Sequence, residues 1–342
     1  MQPSENRKKI LVTGALGQLG SELVPALAER YGAHRILATD IRHPAGGPGS
    51  AAFGEQEVEF RVLDCVEGQQ LGSVATEVGA GTIFHLAALL SAVAENRPQL
   101  AWQVNAQGTF NVLEVARELG AAVFVPSSIA AFGPSTPRTG TQQETLQRPE
   151  TIYGITKVAG ELLCDYYFRR FGVDTRGVRY PGLISHVAEP GGGTTDYAVE
   201  IFRDALRYGT YSSFLKPDTC LDMMYMPDAI KAAIDLMEAD PARLLHRNAF
   251  NITAFSCTPR LLAEEISRHL PDFRMQYHVD PVRQAIAESW PESLDDSEAR
   301  RQWDWSHEYG LQATVADMLS HLKPRVGAAT EQSTPLTGGN AT

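Results

Sequence analysis

Tyr153 and Lys157 stand four positions apart in the segment Tyr153-Gly-Ile-Thr-Lys157, inside a stretch predicted to be helical over residues 151–171. This spacing places a phenol and an ammonium on one face of a helix, one turn apart. A free tyrosine has a pKa of roughly 10, which is too high for a base at neutral pH. A neighbouring ammonium, together with a second positive charge nearby, favours the phenolate and lowers that pKa. The pair therefore predicts a phenol that removes a substrate proton, although an isolated pair of this kind is also common on helix surfaces.

Ser127 and Ser128 follow the apolar run Val-Phe-Val-Pro at the end of a predicted strand. Substrates of open α/β sheets bind at the carboxyl ends of the strands. A serine hydroxyl at that edge can donate a hydrogen bond to the substrate oxygen that Tyr153 would deprotonate. Ser128, Tyr153 and Lys157 are therefore the candidate catalytic residues, and a plain turn is the alternative interpretation for Ser127.

Gly14, Gly17 and Gly20 form a glycine-rich turn between a predicted strand and a predicted helix. Such a turn leaves room for a pyrophosphate, and the positive end of the helix dipole attracts the phosphates. Asp40 ends the next predicted strand, where a carboxylate accepts hydrogen bonds from the adenosine ribose. Because this carboxylate would repel a 2′-phosphate, the predicted cofactor is NAD rather than NADP. Arg42 complicates this prediction, since an arginine near this position can hold that phosphate.

Strands and helices alternate through the first half of the chain. This alternation predicts an α/β fold with a Rossmann-type, doubly wound parallel sheet. The predicted strands span residues 9–13, 34–39, 58–63, 82–87, 121–127 and 175–180. The predicted helices span about 18–30, 68–78, 98–119 and 151–171. The carboxyl ends of these strands would gather the candidate residues at one edge of the sheet.

The second half has a looser pattern, which predicts a smaller C-terminal α/β substrate lobe. Helices are predicted near 195–208, 227–238, 259–270 and 312–322, and strands at 249–253 and 274–280. We therefore predict a dinucleotide-binding domain over 1–185, with a return segment near 220–255, and a substrate lobe over 186–325. Residues 326–342 contain little apolar surface to bury and are predicted to be disordered.

The formal net charge of −11 over 342 residues argues against nucleic acid or an anionic membrane as a partner. No apolar run approaches the roughly 18 residues of a membrane span, and the polar N-terminal segment resembles neither a secretory signal nor a transit peptide. The cysteines have no paired spacing, so neither a metal site nor a disulfide framework is predicted. These features predict a cytoplasmic protein that acts on a small molecule. His85, in an apolar strand, is predicted to be a packed core histidine.

The glycine turn, the Tyr153-x-x-x-Lys157 segment and five further segments together resemble the extended short-chain dehydrogenase/reductase family, which includes the sugar-nucleotide epimerases. The further segments are Leu63-Asp64, His85-Leu-Ala-Ala88, Asn105-Ala-Gln-Gly-Thr109, Pro126-Ser-Ser128 and Arg179-Tyr-Pro-Gly182.

The resemblance implies a dinucleotide site in which Asp64 bonds the adenine, Asn105 supports the cofactor, and Tyr180 and Ile184 border the nicotinamide. With the residues of the glycine turn and the catalytic candidates, the full set of candidate cofactor-binding residues is Gly14, Leu16, Gly17, Gln18, Leu19, Gly20, Asp40, Ile41, Arg42, Leu63, Asp64, Leu86, Ala87, Ala88, Asn105, Ser127, Tyr153, Lys157, Tyr180 and Ile184.

Within that family, the segments 126–134, 190–198, 223–228 and 289–291 are most similar to the short-chain L-threonine 3-dehydrogenases. The resemblance implies an amino-acid site lined by Ser91, Ser128, Tyr153, Thr194, Thr195 and Trp290. The hydroxyls of Thr194 and Thr195, together with the amides of residues 191–193, could donate hydrogen bonds to the carboxylate of a zwitterion.

The resulting hypothesis is an NAD-dependent L-threonine 3-dehydrogenase. Tyr153 would remove the proton of the C3 hydroxyl while a hydride passes to NAD⁺, giving 2-amino-3-oxobutyrate. One alternative is a sugar-nucleotide 4-epimerase, in which Arg203 and Arg207 would bind a second diphosphate. A second alternative is a non-catalytic dinucleotide-sensing protein, which the intact catalytic candidates disfavour. A dehydratase is disfavoured because apolar residues follow the strand serine where acidic residues would be needed.

Helices 98–119 and 151–171 each carry more apolar surface than one sheet face covers. In related enzymes two such helices per subunit form a four-helix interface, so a homodimer with two-fold symmetry is predicted. The alternative is that the C-terminal lobe covers these helices.

Overall fold

The computed structural model describes residues 8–44, 53, 57–189 and 191–332, with side chains described to residue 324. Its last helix extends to Gln332, beyond the predicted end near 322. Residues 326–332, which were predicted to be disordered, are therefore part of that helix. Residues 333–342 lie outside the described part of the chain, as does Pro190 of the predicted glycine-rich loop.

The first half of the chain alternates strands and helices as predicted. Its strands are β1 (Lys9–Thr13), β2 (Ile36–Asp40), β3 (Glu59–Val62), β4 (Ala80–His85), β5 (Ala122–Phe124), β6 (Ser127–Ser128), β7 (Thr175–Arg176), β8 (Val178–Tyr180) and β9 (Gly182–Ile184). Its helices are α1 (Gly20–Tyr31), α2 (Gly68–Val78), α3 (Ser91–Asn96), α4 (Pro98–Ala101), α5 (Gly108–Leu119) and α6 (Ile152–Phe171). A π-helical turn over Trp102–Gln107 joins α4 to α5, so the helix predicted over 98–119 is continuous.

The second half contains elements that the sequence pattern did not predict. Its strands are β10 (Thr210–Ser213), β11 (Leu221–Tyr225), β12 (Phe250–Asn251), β13 (Phe255–Cys257) and β14 (Arg274–Tyr277). Its helices are α7 (Tyr197–Tyr208), α8 (Met226–Glu238), α9 (Pro259–His269), α10 (Pro281–Glu288), α11 (Ser297–Trp303) and α12 (Leu311–Gln332). The strands β9, β10, β11 and β13 and the helices α3, α10 and α11 were not predicted.

Six strands form one parallel sheet in the order β3-β2-β1-β4-β5-β7. Alternate residues of β1 point to opposite faces, so Val12 packs with Leu23 of α1 while Leu11 packs with Leu71 of α2 and Val112 of α5. Both faces of the sheet are therefore covered by helices. The doubly wound parallel sheet predicted from the sequence is confirmed.

Two predicted strands, 121–127 and 175–180, are each divided in two. Pro126 lacks the N–H group that would continue the ladder after β5. At Gly177 an added Cβ would lie 2.1 Å from the carbonyl oxygen of Val125, so only glycine allows this close approach. Beyond these residues β6 and β8 pair in a second parallel sheet of order β12-β8-β6. Ser127 and Ser128 thus lie on a short strand of their own past the carboxyl end of β5.

The return segment connects the two halves of the chain. Helix α8 packs against α1, and β12 pairs with β8. The remaining strands form the sheets β13-β11-β9 and β10-β14. The exact division into two domains stays a prediction. No helix among the described residues is both long and apolar enough to cross a membrane.

Candidate active site

The glycine turn between β1 and α1 is held close to the end of β4. Gly14 has a φ of +70°, and an added Cβ would lie 2.6 Å from the backbone nitrogen of Ala87. At Gly20 the added Cβ would lie 2.6 Å from the carbonyl oxygens of Gly14 and Ala15. Among the described residues no side chain caps the first turn of α1, which suits a phosphate at this helix end. These features fit the pyrophosphate of a dinucleotide.

Asp40 connects the tip of β2 to this turn. Its buried carboxylate accepts hydrogen bonds from the backbone nitrogen of Leu16, at 3.0 Å, and from that of Arg42, at 3.0 Å. The Nε of Arg42 also donates to Oδ1 of Asp40 at 3.1 Å. The Arg42 side chain is therefore folded onto the carboxylate that was predicted to contact the ribose. Ile41 is exposed beside it.

The other residues predicted to contact the adenine end of the cofactor lie at the ends of neighbouring strands. Leu63 is buried in the core, and its backbone nitrogen donates to the carbonyl of Asp40 at 3.0 Å. Asp64 accepts a hydrogen bond from the nitrogen of Val66 at 2.9 Å, which stabilises its own turn. The half-buried segment 86–88 follows β4 directly and contacts the glycine turn.

Asn105 lies in the π-helical turn, a deviation from α-helix that is frequent at functional sites. Its amide Oδ1 accepts from the nitrogen of Leu89 at 2.8 Å, and its Nδ2 donates to the carbonyl of Leu89 at 3.1 Å. The same Nδ2 donates to Thr156 Oγ1 of α6 at 3.2 Å. Asn105 therefore joins the loop after β4 to the helix that carries Tyr153 and Lys157.

The start of α6 is pressed against the turn that follows β6. Thr151 caps the helix by accepting a hydrogen bond from the nitrogen of Gly154 at 3.1 Å. An added Cβ at Gly154 would lie 2.2 Å from the carbonyl oxygen of Ala130. This close approach places the Tyr153 phenol near the Ser128 hydroxyl, which acts to lower the pKa of the phenol.

Lys157 lies one turn further along α6. Its Nζ donates to the carbonyl of Pro126 at 2.9 Å and lies 5.4 Å from the centroid of the Tyr153 ring. The structure therefore brings Ser128, Tyr153 and Lys157 together, as the spacing predicted.

The pKa of Tyr153 is not lowered by the chain itself. Burial raises it to about 12, and the hydrogen bond with Ser128 only opposes this rise. Burial also lowers the pKa of Lys157 to about 8, opposed mainly by the carboxylate of Glu161. In the chain alone Lys157 does not offset this effect, because burial penalises both charged forms. The predicted lowering of the pKa requires a second positive charge as well as Lys157, so it stays a prediction.

Two predicted cofactor residues direct their polar groups elsewhere. The Ser127 hydroxyl donates to the carboxylate of Glu161, which forms a buried ion pair with Arg179 of β8, 2.8 Å between Nη2 and Oε2. The Tyr180 hydroxyl donates to the carbonyl of Ala229 at 2.8 Å, inside the core of the return segment. The sequence analysis did not identify Glu161 as a residue of this site. Its position four residues after Lys157 places it on the same helix face, and this spacing could have predicted its location.

Ile184, by contrast, shares an apolar cluster with Tyr153 and Trp290. Both Ile184 and Trp290 are buried there. The structure therefore places one predicted nicotinamide neighbour and one predicted substrate residue in the same apolar cluster as the Tyr153 ring.

The predicted substrate residues Ser91 and Thr194 meet directly. Their hydroxyl oxygens are 3.1 Å apart, and the nitrogen of Thr194 donates to Ser91 Oγ at 3.3 Å. The methyl group of Thr195 lies against Gly182, where an added Cβ would be 2.8 Å away.

The glycine amides predicted to bind a carboxylate already have a partner. Asp196 accepts hydrogen bonds from the nitrogens of Gly192 and Gly193, at 2.7 and 2.8 Å. Asp196 lies just before α7, so its carboxylate fills the role that was expected of a substrate. The prediction that these two amides bind the substrate is therefore wrong.

His85 is buried, as predicted for a packed core histidine. Its Nδ1 lies 2.8 Å from Thr13 Oγ1. Burial, and then the charge of Lys157, lowers the pKa of this imidazole to about 3, so it is neutral at physiological pH.

The sequence matches known proteins along most of its length. The sequence profile of the NAD dependent epimerase/dehydratase family matches residues 10–253. A curated relative from Staphylococcus saprophyticus, described as an uncharacterized epimerase/dehydratase, is 52% identical over 316 residues, which is 92% of this chain and 97% of that protein.

Solved structures are similar to the whole fold. An L-threonine dehydrogenase from Clostridium difficile is 51% identical with a TM-score of 0.90, covering 94% of this chain and 99% of that one. A monomeric L-threonine 3-dehydrogenase from a metagenome is 42% identical with a TM-score of 0.88, covering 93% and 99%. A UDP-glucose 4-epimerase from Thermotoga maritima is 20% identical with a TM-score of 0.79, covering 94% and 99%, a likeness of fold alone.

Proposed function

The chain belongs to the NAD dependent epimerase/dehydratase family, and from this premise we propose that it oxidises the C3 hydroxyl of L-threonine with NAD⁺ to 2-amino-3-oxobutyrate. The observation that carries the oxidation is the placement of the buried Tyr153 phenol near Ser128, with the Lys157 ammonium 5.4 Å from the centroid of its ring. The choice of L-threonine is supported by the 51% identity to a structure described as an L-threonine dehydrogenase.

In the proposed reaction Tyr153 takes the proton of the C3 hydroxyl, and Ser128 donates a hydrogen bond to the same oxygen. NAD⁺, which the glycine turn and Asp40 would hold, would supply positive charge and a hydride acceptor for the hydrogen on C3. Because the pKa of Tyr153 is about 12 in the chain alone, proton removal depends on that added charge. We therefore infer that the cofactor binds before the proton is removed.

Residues across from the phenol would hold the amino acid. The hydroxyls of Ser91, Thr194 and Thr195 are the candidate donors for its carboxylate, since Asp196 already occupies the Gly192 and Gly193 amides. Trp290 would cover the substrate from the C-terminal half. Shape and hydroxyl groups, rather than a buried cation, would then select a small hydroxy-amino acid.

NAD⁺ is proposed over NADP⁺ because Asp40 would face the adenosine ribose. Steady-state kinetics should give a higher kcat/KM with NAD⁺, and Arg42→Ala should leave that preference in place. Equal or better use of NADP⁺ by the native enzyme, abolished selectively in Arg42→Ala, would show that Arg42 and not Asp40 determines the choice.

The sugar-nucleotide 4-epimerase remains the alternative, and the geometry gives it less support. Arg203, a candidate for a second diphosphate, is mostly buried and forms an ion pair with Glu189. Its side chain also donates to the carbonyl of Ala188 at 3.2 Å. Arg207 is exposed on α7.

The test is NADH formation with a panel of hydroxy-amino acids and, separately, UDP-sugars. The proposal expects stoichiometric NADH with L-threonine and no epimerisation of UDP-galactose. Epimerisation without net NADH would establish the alternative, and inactivity with both substrates and bound NAD⁺ would favour a sensor.

A further inference from the structure

His186, Asp317 and His321 meet between the carboxyl end of β9 and the C-terminal helix α12. His186 follows β9, while Asp317 and His321 stand one turn apart on α12. One ligand atom of each residue lies within 4.8 Å of the other two. The two imidazole rings stack with their centroids 4.2 Å apart. The set therefore brings two imidazoles and one carboxylate together from distant parts of the sequence.

Tyr225, at the end of β11, holds two members of this set in place. Its hydroxyl donates to Asp317 Oδ2 at 2.7 Å and lies 2.8 Å from His186 Nδ1. On the other side, His321 Nδ1 lies 3.4 Å from Asp317 Oδ2. The side chains are thus already oriented toward one another by a hydrogen bond from a buried residue.

The charges around the cluster favour a cation. Within the described part of the chain, Asp317 forms no ion pair with a lysine or arginine. Glu22 accepts a hydrogen bond from the hydroxyl of Ser185, the residue before His186, so a second carboxylate approaches the chain next to the cluster. Two imidazoles and a carboxylate with no lysine or arginine partner among the described residues form a donor set that suits a metal ion.

We propose that His186, Asp317 and His321 bind a divalent transition-metal cation, with Zn²⁺ as the first choice. Two imidazoles and a carboxylate are typical zinc ligands, and a water would take the fourth position. Mg²⁺ and Ca²⁺ prefer oxygen ligands, so they fit this nitrogen-rich set poorly. Ligand distances of about 2.0–2.2 Å place tetrahedral ligand atoms roughly 3.4 Å apart, so modest side-chain rotations close the set around the ion.

The proposed ion would link two segments that differ in their roles. His186 begins the segment that leads to Thr194 and Thr195, whereas α12 packs against α7 and α9. A metal at this position would tie the C-terminal helix to the segment that carries the candidate substrate residues. It makes no contact with Ser128, Tyr153 or Lys157, and its proposed role is therefore structural rather than chemical.

The full-length, tag-free chain is treated with a chelator, dialysed and titrated with ZnCl₂ by isothermal calorimetry. The expected result is one ion bound per chain and a thermal unfolding midpoint that rises with Zn²⁺ concentration. Co²⁺ should bind at the same stoichiometry and develop visible absorption bands of a site with nitrogen ligands.

Three variants distinguish this site from general surface binding. His321→Gln removes a half-exposed ligand, so the chain should fold normally and bind Zn²⁺ at least about 100-fold more weakly. Tyr225→Phe removes only the supporting hydroxyl and should weaken binding about 10–100-fold, as loss of a group that orients metal ligands does. His278→Gln, at an exposed histidine outside the cluster, is the matched control and should bind like the native chain.

Failure to bind Zn²⁺ by the native chain would overturn the proposal, as would equal binding by the native chain and His321→Gln. These readouts measure metal binding and stability, so they stand whether or not the chain oxidises L-threonine.

Discussion

Tyr153 is a buried phenol whose pKa of about 12 makes it a poor base until another positive charge is added. Lys157 alone does not supply that charge effectively, since its ammonium is directed to the carbonyl of Pro126. The proposed role of the phenol thus rests on geometry, and its reactivity would be switched on by the cofactor. Without the cofactor, the Tyr153 phenol would therefore stay protonated at neutral pH.

Replacing Tyr153 with phenylalanine tests this role. Tyr153→Phe keeps the ring and removes one oxygen, so NAD⁺ binding should survive while kcat falls about 10²–10⁴-fold, the usual loss for a positioned general base. Ser128→Ala should lower kcat less, because the base remains. Tyr166→Phe changes an exposed tyrosine of the same helix and should behave like the native enzyme. Near-native turnover of Tyr153→Phe would show that the base lies elsewhere.

The sequence predicted which side chains lie in the candidate site, but it did not predict all of the hydrogen bonds within it. Helical spacing and a strand end predicted that Ser128, Tyr153 and Lys157 would meet. No local pattern showed that Asp196 would take the Gly192 and Gly193 amides. These contacts depend on how the loop folds back, which residue types and spacing do not determine.

At the scale of elements, a buried ion pair fixes α6 to the second sheet. Glu161→Ala would leave the Arg179 guanidinium buried without its carboxylate, at a cost of about 3–5 kcal/mol in the free energy of unfolding. Asp218→Ala breaks an exposed pair with Arg260 and should cost under about 1 kcal/mol. Urea unfolding measures the free energy of unfolding of both variants. Equal decreases in the two variants would contradict the larger cost expected for the buried pair. If Glu161→Ala does not fold, Glu161→Gln should fold and lie between the two.

Asp222 makes the sheet β13-β11-β9 sensitive to pH. Burial raises the pKa of this β11 carboxyl to about 7, opposed by hydrogen bonds from Thr253 and from the nitrogen of Leu294. The folded chain therefore keeps a proton that the unfolded chain releases near its ordinary pKa of about 3.9. The unfolded state binds fewer protons in that window, so this group's contribution to stability falls as pH rises from about 4 to about 7.

Asp222→Asn should remove that slope. Urea unfolding at several pH values should show a flatter profile for Asp222→Asn than for the native chain. Asp218→Asn, at an exposed carboxyl, should leave the native slope intact. Parallel profiles for the native chain and Asp222→Asn would contradict the raised pKa.

Elements with strong periodicity were predictable, and short strands were not. The helices α1 and α5 bury one apolar face and were found from that pattern. The strand β11 contains Asp222 among apolar residues, and β9 follows Pro181-Gly182, so neither has a clear strand pattern. Their formation depends on pairing with each other, a contact between distant segments that local sequence does not encode.

At the scale of the whole molecule, α5 and α6 expose apolar side chains that the C-terminal half does not cover. Phe110 is 40% exposed, Leu162 62%, Tyr166 53% and Phe171 43%. The alternative that the C-terminal lobe buries this surface is therefore wrong for these side chains. The homodimer stays a prediction, and one similar structure is described as monomeric.

Light scattering should give twice the chain mass of 37.3 kDa at micromolar concentration. Leu162→Glu should dissociate the dimer, because it places a charge in the proposed two-fold interface. Val282→Glu, at an exposed valine of α10, should leave the mass unchanged. A native mass near that of one chain would refute the dimer.

The most direct test of the proposed function follows the hydrogen on C3 of the substrate. The enzyme is incubated with NAD⁺ and L-threonine that carries deuterium at C3, and the cofactor and amino-acid products are analysed by mass spectrometry. The account predicts deuterium in the reduced cofactor and an equal amount of 2-amino-3-oxobutyrate or its decarboxylation product. A cofactor that stays oxidised and unlabelled, while the enzyme interconverts UDP-sugars, would contradict it.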